Sequence, residues 1–364
     1  MSASAGGPAN ADRPRLTWSL VIATRNRVDT LPTTVHFALR QTRPPIDVVV
    51  VDSSDASKFA EGAAAVSAAV ESSGRVVDLT HDRWVHPSTT AQRNRGAELA
   101  KGDVLFMIDD DSFMHEDFAD KVMSVYDRDT EARVVGVQGT MAGPPGKPVR
   151  RPKATNWKFW LRLWFTDFVM FQDNERSFVP YDGSFHTTPM PDWLRERGAV
   201  TRGVLHGCRM TLRREAVLAH RFEEAFYRNG PCEDQDGSYR VSRSGLLVEL
   251  PDAYLQHVSA PPNRQKLKTI RAMNQIDHHY IVRKHSNRLS RDRWRLRWRL
   301  ARYVFGDTVR DLGGKRWAMP RVRGHLQGWR AGRRLFRAGD DELLDVYHAL
   351  RERITPRLKP EDLA

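Results

Sequence analysis

The chain is expected to fold as an α/β protein: a Rossmann-like, mostly parallel sheet flanked by helices, with a basic helical extension at the C-terminus. Three observations point there. Short apolar, β-branched runs alternate with helical stretches through the first 140 residues, the rhythm of a doubly wound parallel sheet. One of those runs, Val104–Ile108, leads from Gly102 straight into three consecutive carboxylates, Asp109, Asp110 and Asp111. The positive charge is also confined to one place: Arg283–Arg337 holds 18 Lys/Arg against 3 Asp/Glu, and subtracting that excess of 15 from the net +13 leaves −2 for the rest.

Taken in order, residues 1–14 are Ala/Gly/Pro-rich and polar, which predicts disorder, and they lack an apolar signal core. Leu16–Ala23 reads as the first strand and ends in Thr24-Arg25-Asn26-Arg27. A helix is expected over about 30–41, broken by Pro44-Pro45, before a second buried strand, Ile46–Val51, that ends in Asp52. An Ala-rich helix follows over about 59–71, then a weak strand, Val76–Leu79, a helix over Thr89–Ala100, the strand before the three acids, and a further strand, Val134–Thr140. In such sheets ligands bind at the carboxyl ends of the strands. Thr24, Arg27, Asp52 and the acids 109–111 would converge on that edge.

Three adjacent acids repel one another and raise each other's pKa unless a cation sits among them. A divalent metal held by Asp109 and Asp111 and gripping phosphates is the functional reading. The alternative is a solvated acidic turn that caps the next helix. There is no G-x-G-x-x-G after the first strand and no phosphate-binding P-loop, so neither a bound dinucleotide nor a Walker-type ATP site is indicated.

Four ordered motifs, SLVIATRNRVDTL, VVVVDSSD, QRNRGAELAKGDVLFMIDDD and CEDQDGSYRV, together resemble the family 2 glycosyltransferases with the GT-A fold. The resemblance covers about 16–257. It implies a nucleotide-sugar donor (UDP-, GDP- or dTDP-linked), a divalent metal such as Mn2+ or Mg2+, and inversion at the anomeric carbon. By that resemblance Thr24 and Arg27 border the nucleotide, and Asp52 is similar to the acid that reads the base or ribose. Arg93-Asn94 matches the family's Arg-Asn pair, and Asp109 and Asp111 match its D-x-D pair, with Asp110 on the donor side. Gln92 departs from the small residue more usual there. Asp234 is similar to the base that takes the acceptor's proton, and Glu233 would position the acceptor. His257, at the end of a strand over 253–258, resembles a third metal ligand; a structural histidine is the other reading. The acids 233–236 could equally be a charged first helical turn.

Between these motifs, Trp157, Trp160, Trp164, Phe168 and Phe171 fall on one helical face. They read as a packing face or as an aromatic wall for an acceptor, with Trp164 at its centre. A long loop is expected over 176–197. Val204–Arg214 precedes a helix, and Leu246–Leu250 is a strand. The two cysteines, Cys208 and Cys232, make neither a disulfide framework nor a zinc spacing and fit a reducing compartment; no nucleophilic thiol is indicated.

The annex contains RDRWRLRWRLARYVF (291–305), which fits a helix better than a strand because good helix formers dominate and no turn signal interrupts it. A further helix is expected over about 340–353. Cationic, Trp-rich segments suit an anionic membrane surface; a helical cap packed on the catalytic domain is the alternative. No run approaches the length of a membrane span, so a cytoplasmic enzyme, peripheral at the inner face of the membrane, is expected. The acceptor is read as a glycan, a lipid-linked sugar or a small molecule. The resulting division is a disordered 1–14, a nucleotide-sugar-binding half over 15–140, an acceptor half over 141–260 and the basic extension over 261–364. A sugar-nucleotide nucleotidyltransferase would want a Gly-rich, Lys-bearing loop after the first strand. No nucleic-acid partner is expected, because the charge excess is local and no binding signature accompanies it.

Overall fold

The computed structural model describes residues 14–147, 188–226, 230–258 and 267–355. The expected disorder of the N-terminal residues, the aromatic face over 157–171 with Trp164, and most of the 176–197 stretch lie outside them.

The alternating pattern forms as a sheet with flanking helices. In order come β1 (Trp18–Thr24), α1 (Leu31–Leu39), β2 (Asp47–Asp52), α2 (Ala56–Ser72), β3 (Asp78–Arg83), α3 (Thr89–Leu99), β4 (Val104–Met107), β5 (Ser112–Met114), α4 (Phe118–Arg128) and β6 (Val134–Met141). Then follow α5 (Asp192–Glu196), β7 (Val200–Thr201), β8 (Met210–Arg213), α6 (Arg214–His220), α7 (Glu233–Ser242) and β9 (Leu246–His257). Among the described residues the strands lie in the order β3-β2-β1-β4-β8-β6-β9-β5, with β7 also on β9. The strands β1–β4, β6 and β9 run one way, and β5, β7 and β8 run against them.

The runs of β1, β2 and β4 are apolar because both faces are covered; β3 is polar and half-exposed, and it runs over Asp78–Arg83, whereas the weak strand was expected at Val76–Leu79. Leu20, Ile22, Val48, Val50 and Phe106 pack with α1 and α4 residues such as Val35 and Phe118. The alternate positions Val21, Val49, Val51, Leu105 and Met107 pack on the other side with Ala97 and Val217.

Further features of the sheet domain differ from the sequence reading. The acids 109–111 do not cap a helix; the chain enters the short strand β5, antiparallel to β9 with Ser112 opposite His257. Leu246–Leu250 and Ala253–Val258 are one continuous strand, with its register shifted against β6. Met210–Arg213 is a buried strand between β4 and β6, too short to signal itself against flanking arginines. Within the expected loop, Asp192–Glu196 is a short helix whose Leu194 joins the main core.

The annex consists of α8 (Leu267–His285), α9 (Leu289–Gly313), α10 (Pro320–Gly332), a 3₁₀ turn (Arg333–Phe336) and α11 (Leu343–Ile354). The 291–305 segment is helical, inside α9. Helix α8 was not foreseen, because its buried positions include Gln275, Asp277, His278 and His279 and give no clean apolar stripe. Helices α8 and α10 meet backbone to backbone: a Cβ at Gly328 would lie 2.2 Å from the Ala272 carbonyl. The annex is docked on the sheet domain through a shared core in which Phe226, Cys232 and Tyr239 pack with Ile276, Tyr280 and Tyr347.

Candidate active site

The carboxyl ends of β1 and β4 bring the first predicted residues together. The Thr24 hydroxyl donates to Asp110 Oδ2 at 2.5 Å, and the Thr34 hydroxyl on α1 donates to the Asp110 carbonyl at 2.7 Å. Burial pushes the Asp110 carboxyl up to about 7, against the Thr24 hydrogen bond and the charge of Arg27. The Asp110 side chain is therefore turned back toward β1.

Asp109, Asp111 and His257 form a cluster whose ligand-type atoms lie within 4.8 Å of one another. The β5–β9 register makes it: with Ser112 opposite His257 and Val258 N–H donating to the Asp111 carbonyl at 2.9 Å, the imidazole falls beside the acids. His257 Nε2 is 2.9 Å from Asp111 Oδ1 and 3.8 Å from Asp109 Oδ2. Adjacent donors on an octahedral ion with bonds near 2.1 Å stand about 3 Å apart, and opposite donors about 4 Å. Two carboxylates and one imidazole gathered in this way are a donor set for a divalent cation. The hydrogen bond to Asp111 raises the His257 pKa above the usual value, with the neighbouring acids adding to it. Burial raises the Asp109 carboxyl, and Asp234 and Asp111 push it further while Arg93 and His257 oppose.

Arg93, on α3, links this cluster to the first turn of α7. Its buried guanidinium donates to Asp234 Oδ1 at 3.0 Å and stands 3.5 Å from both Asp109 Oδ1 and Glu233 Oε1. Burial disfavours its charge, but the three carboxylates outweigh that, and the net pKa is raised. Asp234 Oδ2 accepts the Gly207 N–H at 2.8 Å. Both Asp234 oxygens are thus held, and Asp234 and Asp109 share one guanidinium. Burial lifts the Glu233 carboxyl well above its ordinary range, only partly opposed by Arg93.

Asp236, two residues further along α7, faces the other way. It is 2.7 Å from both His285 Nε2 and Arg240 Nε. Burial would raise its carboxyl, but those two cations hold it below the usual value. Cys232 Sγ lies 2.9 Å from His278 Nδ1 at the start of the helix. Helix α8 thus fixes the orientation of the turn that presents Glu233 and Asp234.

Asp52 is buried, and its contacts are internal: Oδ1 accepts the Ser54 N–H at 2.8 Å and the Ser54 hydroxyl, and Oδ2 is 3.1 Å from His81 Nε2. Arg27 is half-buried near Asp110. Trp164 lies outside the described residues. Gln92, the departure from the motif, ties the strand ends together: its amide donates to the Thr24 carbonyl at 2.9 Å and to the Val51 carbonyl at 2.7 Å. Asn94 is spent on the 222–224 segment, accepting the Phe222 N–H and donating to Glu224.

Gly207 stands outside the four sequence motifs. A Cβ there would stand 2.1 Å from Arg93 Nη2 and 2.9 Å from Asp234 Oδ1, so its lack of a side chain leaves room for their contact. At the next residue, Cys208, burial pushes the thiol up to about 12, which disfavours the thiolate.

Residues 19–185 match the family described as Glycosyl transferase family 2. Over 138 residues, 37% of this chain, the sequence is 29% identical to the glucosyl-dolichyl phosphate glucuronosyltransferase of Haloferax volcanii, and the match spans 41% of that relative's length. Among solved structures, S. aureus TarS 1–349 in complex with UDP-GlcNAc is similar over 93% of this chain and 91% of its own, with 12% identity and a TM-score of 0.49. GalNAc-T7 with UDP, GalNAc and Mn2+ is similar over 73% of this chain and 48% of its own, with 17% identity and a TM-score of 0.47. The family match covers the segment that contains the strand-end acids Asp109–Asp111, and Asp234 and His257 lie beyond it.

Proposed function

We propose that the protein is an inverting glycosyltransferase that moves a sugar from a nucleotide-diphosphate donor to a hydroxyl of a glycan, lipid-linked or small-molecule acceptor. The observation that carries this reading is the span of Arg93, which touches Asp109 of the three-residue cation cluster and Asp234 at once. A cation-binding cluster and a candidate base are thereby brought within about the reach of one sugar ring.

Asp109, Asp111 and His257 would hold the divalent ion. When bound, such an ion neutralises the donor's diphosphate and the charge of the departing nucleoside diphosphate. Thr24, Arg27 and Asp110 border the donor on the β1 side. Asp52 acts on the donor indirectly, by holding the Ser53-Ser54 turn beside it through Ser54. Asp234 takes the proton of the acceptor hydroxyl as that oxygen bonds to the anomeric carbon and the carbon–phosphate oxygen bond breaks on the opposite face. Its orientation comes from the Gly207 N–H and from Arg93. Glu233, kept largely protonated by burial, can donate a hydrogen bond to the acceptor, and Trp164 would supply an apolar wall for it. The Haloferax volcanii relative's printed name, with its dolichyl phosphate, favours a lipid-linked acceptor.

The test is nucleotide release from UDP-, GDP- and dTDP-sugars with Mn2+, Mg2+ or chelator. Cation-dependent release, lost in Asp111→Ala together with cation-dependent nucleotide binding, is expected; binding and turnover unchanged in Asp111→Ala would overturn the assignment. Against a nucleotidyltransferase, the loop after β1 is Thr24-Arg25-Asn26-Arg27, without the Gly-rich, Lys-bearing sequence a triphosphate needs.

A further inference from the structure

Helix α9 sorts its side chains by face. Its three carboxylates, Asp292, Asp307 and Asp311, are all buried. Asp292 accepts from Arg291 and the Ser286 hydroxyl, Asp307 pairs with Arg271 and His325, and Asp311 pairs with Arg321. Leu296 on the same side packs against Val282 of α8 and Trp329 of α10. At 100° per residue, the opposite face carries Trp294, Trp298, Phe305, Val309 and Leu312 in a single arc. Trp294 is 62% exposed, Trp298 54% and Phe305 53%. The two indoles lie parallel within 2°, centroids 6.4 Å apart. Arg297 is exposed between them in sequence, and Lys315, Arg316 and Trp317 are exposed just past the helix end.

The geometry points to a docking face for an anionic lipid bilayer, on which α9 lies in the plane of the headgroups. Three physical reasons select this occupant. Indoles prefer the boundary between headgroup and acyl chain, where one edge is wet and the rest apolar. The cations beside the stripe have no carboxylate on the outer face of the helix, so a surface of lipid phosphates supplies the missing charge. A second copy of the chain meeting this face would instead bring Arg297 and its neighbours together without compensation. The helix, of 25 residues, gives a contact line about 37 Å long. No helix among the described residues is long and apolar enough to cross a membrane, so the contact is peripheral. This inference stands apart from the transfer reaction. Because His285 of α8 is bonded to Asp236 of α7, docking would hold the catalytic half at a set attitude to the surface.

The test uses the full chain and two vesicle types, phosphatidylcholine alone and phosphatidylcholine with phosphatidylglycerol. Cosedimentation with the anionic vesicles, weakening as salt is raised, and a blue-shifted tryptophan emission are expected. The combined Trp294→Ser, Trp298→Ser, Phe305→Ser variant should bind at least about tenfold more weakly, with an unchanged thermal midpoint. The Arg297→Gln, Lys315→Gln, Arg316→Gln variant should lose its preference for anionic vesicles while keeping the wild-type fold. Equal binding by the wild type and the serine variant would overturn the inference. So would a wild-type dimer that the serine variant converts to monomer without any vesicle binding.

Discussion

At the strand ends, Asp109, Asp111, Glu233 and Asp234 crowd around one guanidinium and one imidazole, Arg93 and His257. In the annex, Asp307 alone is met by Arg271, Arg310 and His325, and Asp311 by Arg321. The consequences for protonation are opposite. Burial lifts Glu233, and it lifts Asp110 to about 7. At Asp307 burial is outweighed by the His325 hydrogen bond and the arginines, and its carboxyl is held at about 2. Asp277 lies between the two: Arg351 and the Tyr347 hydroxyl contact it, yet burial still raises its carboxyl. Buried carboxylates matched by cations are part of the scaffold. Buried carboxylates that outnumber their cations mark a place prepared for a positive ligand.

The sharpest way to break this contrast is to neutralise one acid on each side. Asp234→Asn should cut kcat about 10³-fold, within the range for loss of a general base, and should leave the thermal midpoint at or above wild type because it relieves crowding. A drop of less than about tenfold would remove Asp234 from the base role. Asp307→Asn should do the reverse, costing about 1–3 kcal/mol in urea unfolding by removing the charged acceptor shared by the buried His325 and the half-buried Arg271 and Arg310, with little change in kcat of the protein that remains folded.

Next in size are two glycines. Gly328→Ala forces a Cβ to within 2.2 Å of the Ala272 carbonyl; neither backbone can yield freely, so a loss of about 1–3 kcal/mol is expected. Gly207→Ala meets the far end of the Arg93 side chain, which can swing aside. Turnover should fall as Arg93 leaves Asp234, and some stability should be lost with it because a buried ion pair is broken. Calorimetry beside steady-state kinetics separates the two cases.

The smallest effect is on the pH dependence of stability in chelated protein. The folded Glu233 carboxyl titrates above its ordinary 4.5. The folded state thus keeps a proton that the unfolded chain has lost, and this contribution is full below pH 4.5 and declines as pH rises. His279 in the annex runs the other way. Burial pushes its imidazole down from 6.5 to about 4, so its contribution is full above pH 6.5 and is lost as pH falls toward 4. Thermal midpoints against pH should show both limbs, and Glu233→Gln should flatten only the alkaline one.

Much of this was legible from residue order. β1, β2 and β4 announced themselves as apolar runs because both faces of such strands are covered, whereas the polar β3 was read two residues early; Asp109, Asp111 and Asp234 stood out as acids at strand and helix ends. Asp52 was legible only as an acid at a strand end; that it serves Ser54 and His81 was not. Gln92 was read as a minor departure, yet it ties the ends of β1 and β2. Helix α8 was missed because its buried polar residues find partners from α10 and α11, which no local pattern encodes.

The sequence alone determined the alternation of strands and helices, the place of the acids at the strand ends and the seclusion of positive charge in the annex. Each of these is a property of neighbouring residues and their periodicity. Tertiary structure decided that His257 stands beside Asp111, that Arg93 touches acids 16 and 141 residues away, and that the acids of α9 turn inward while its tryptophans turn out. Those outcomes depend on strand register and helix packing, where contacts between segments distant in the chain select the arrangement.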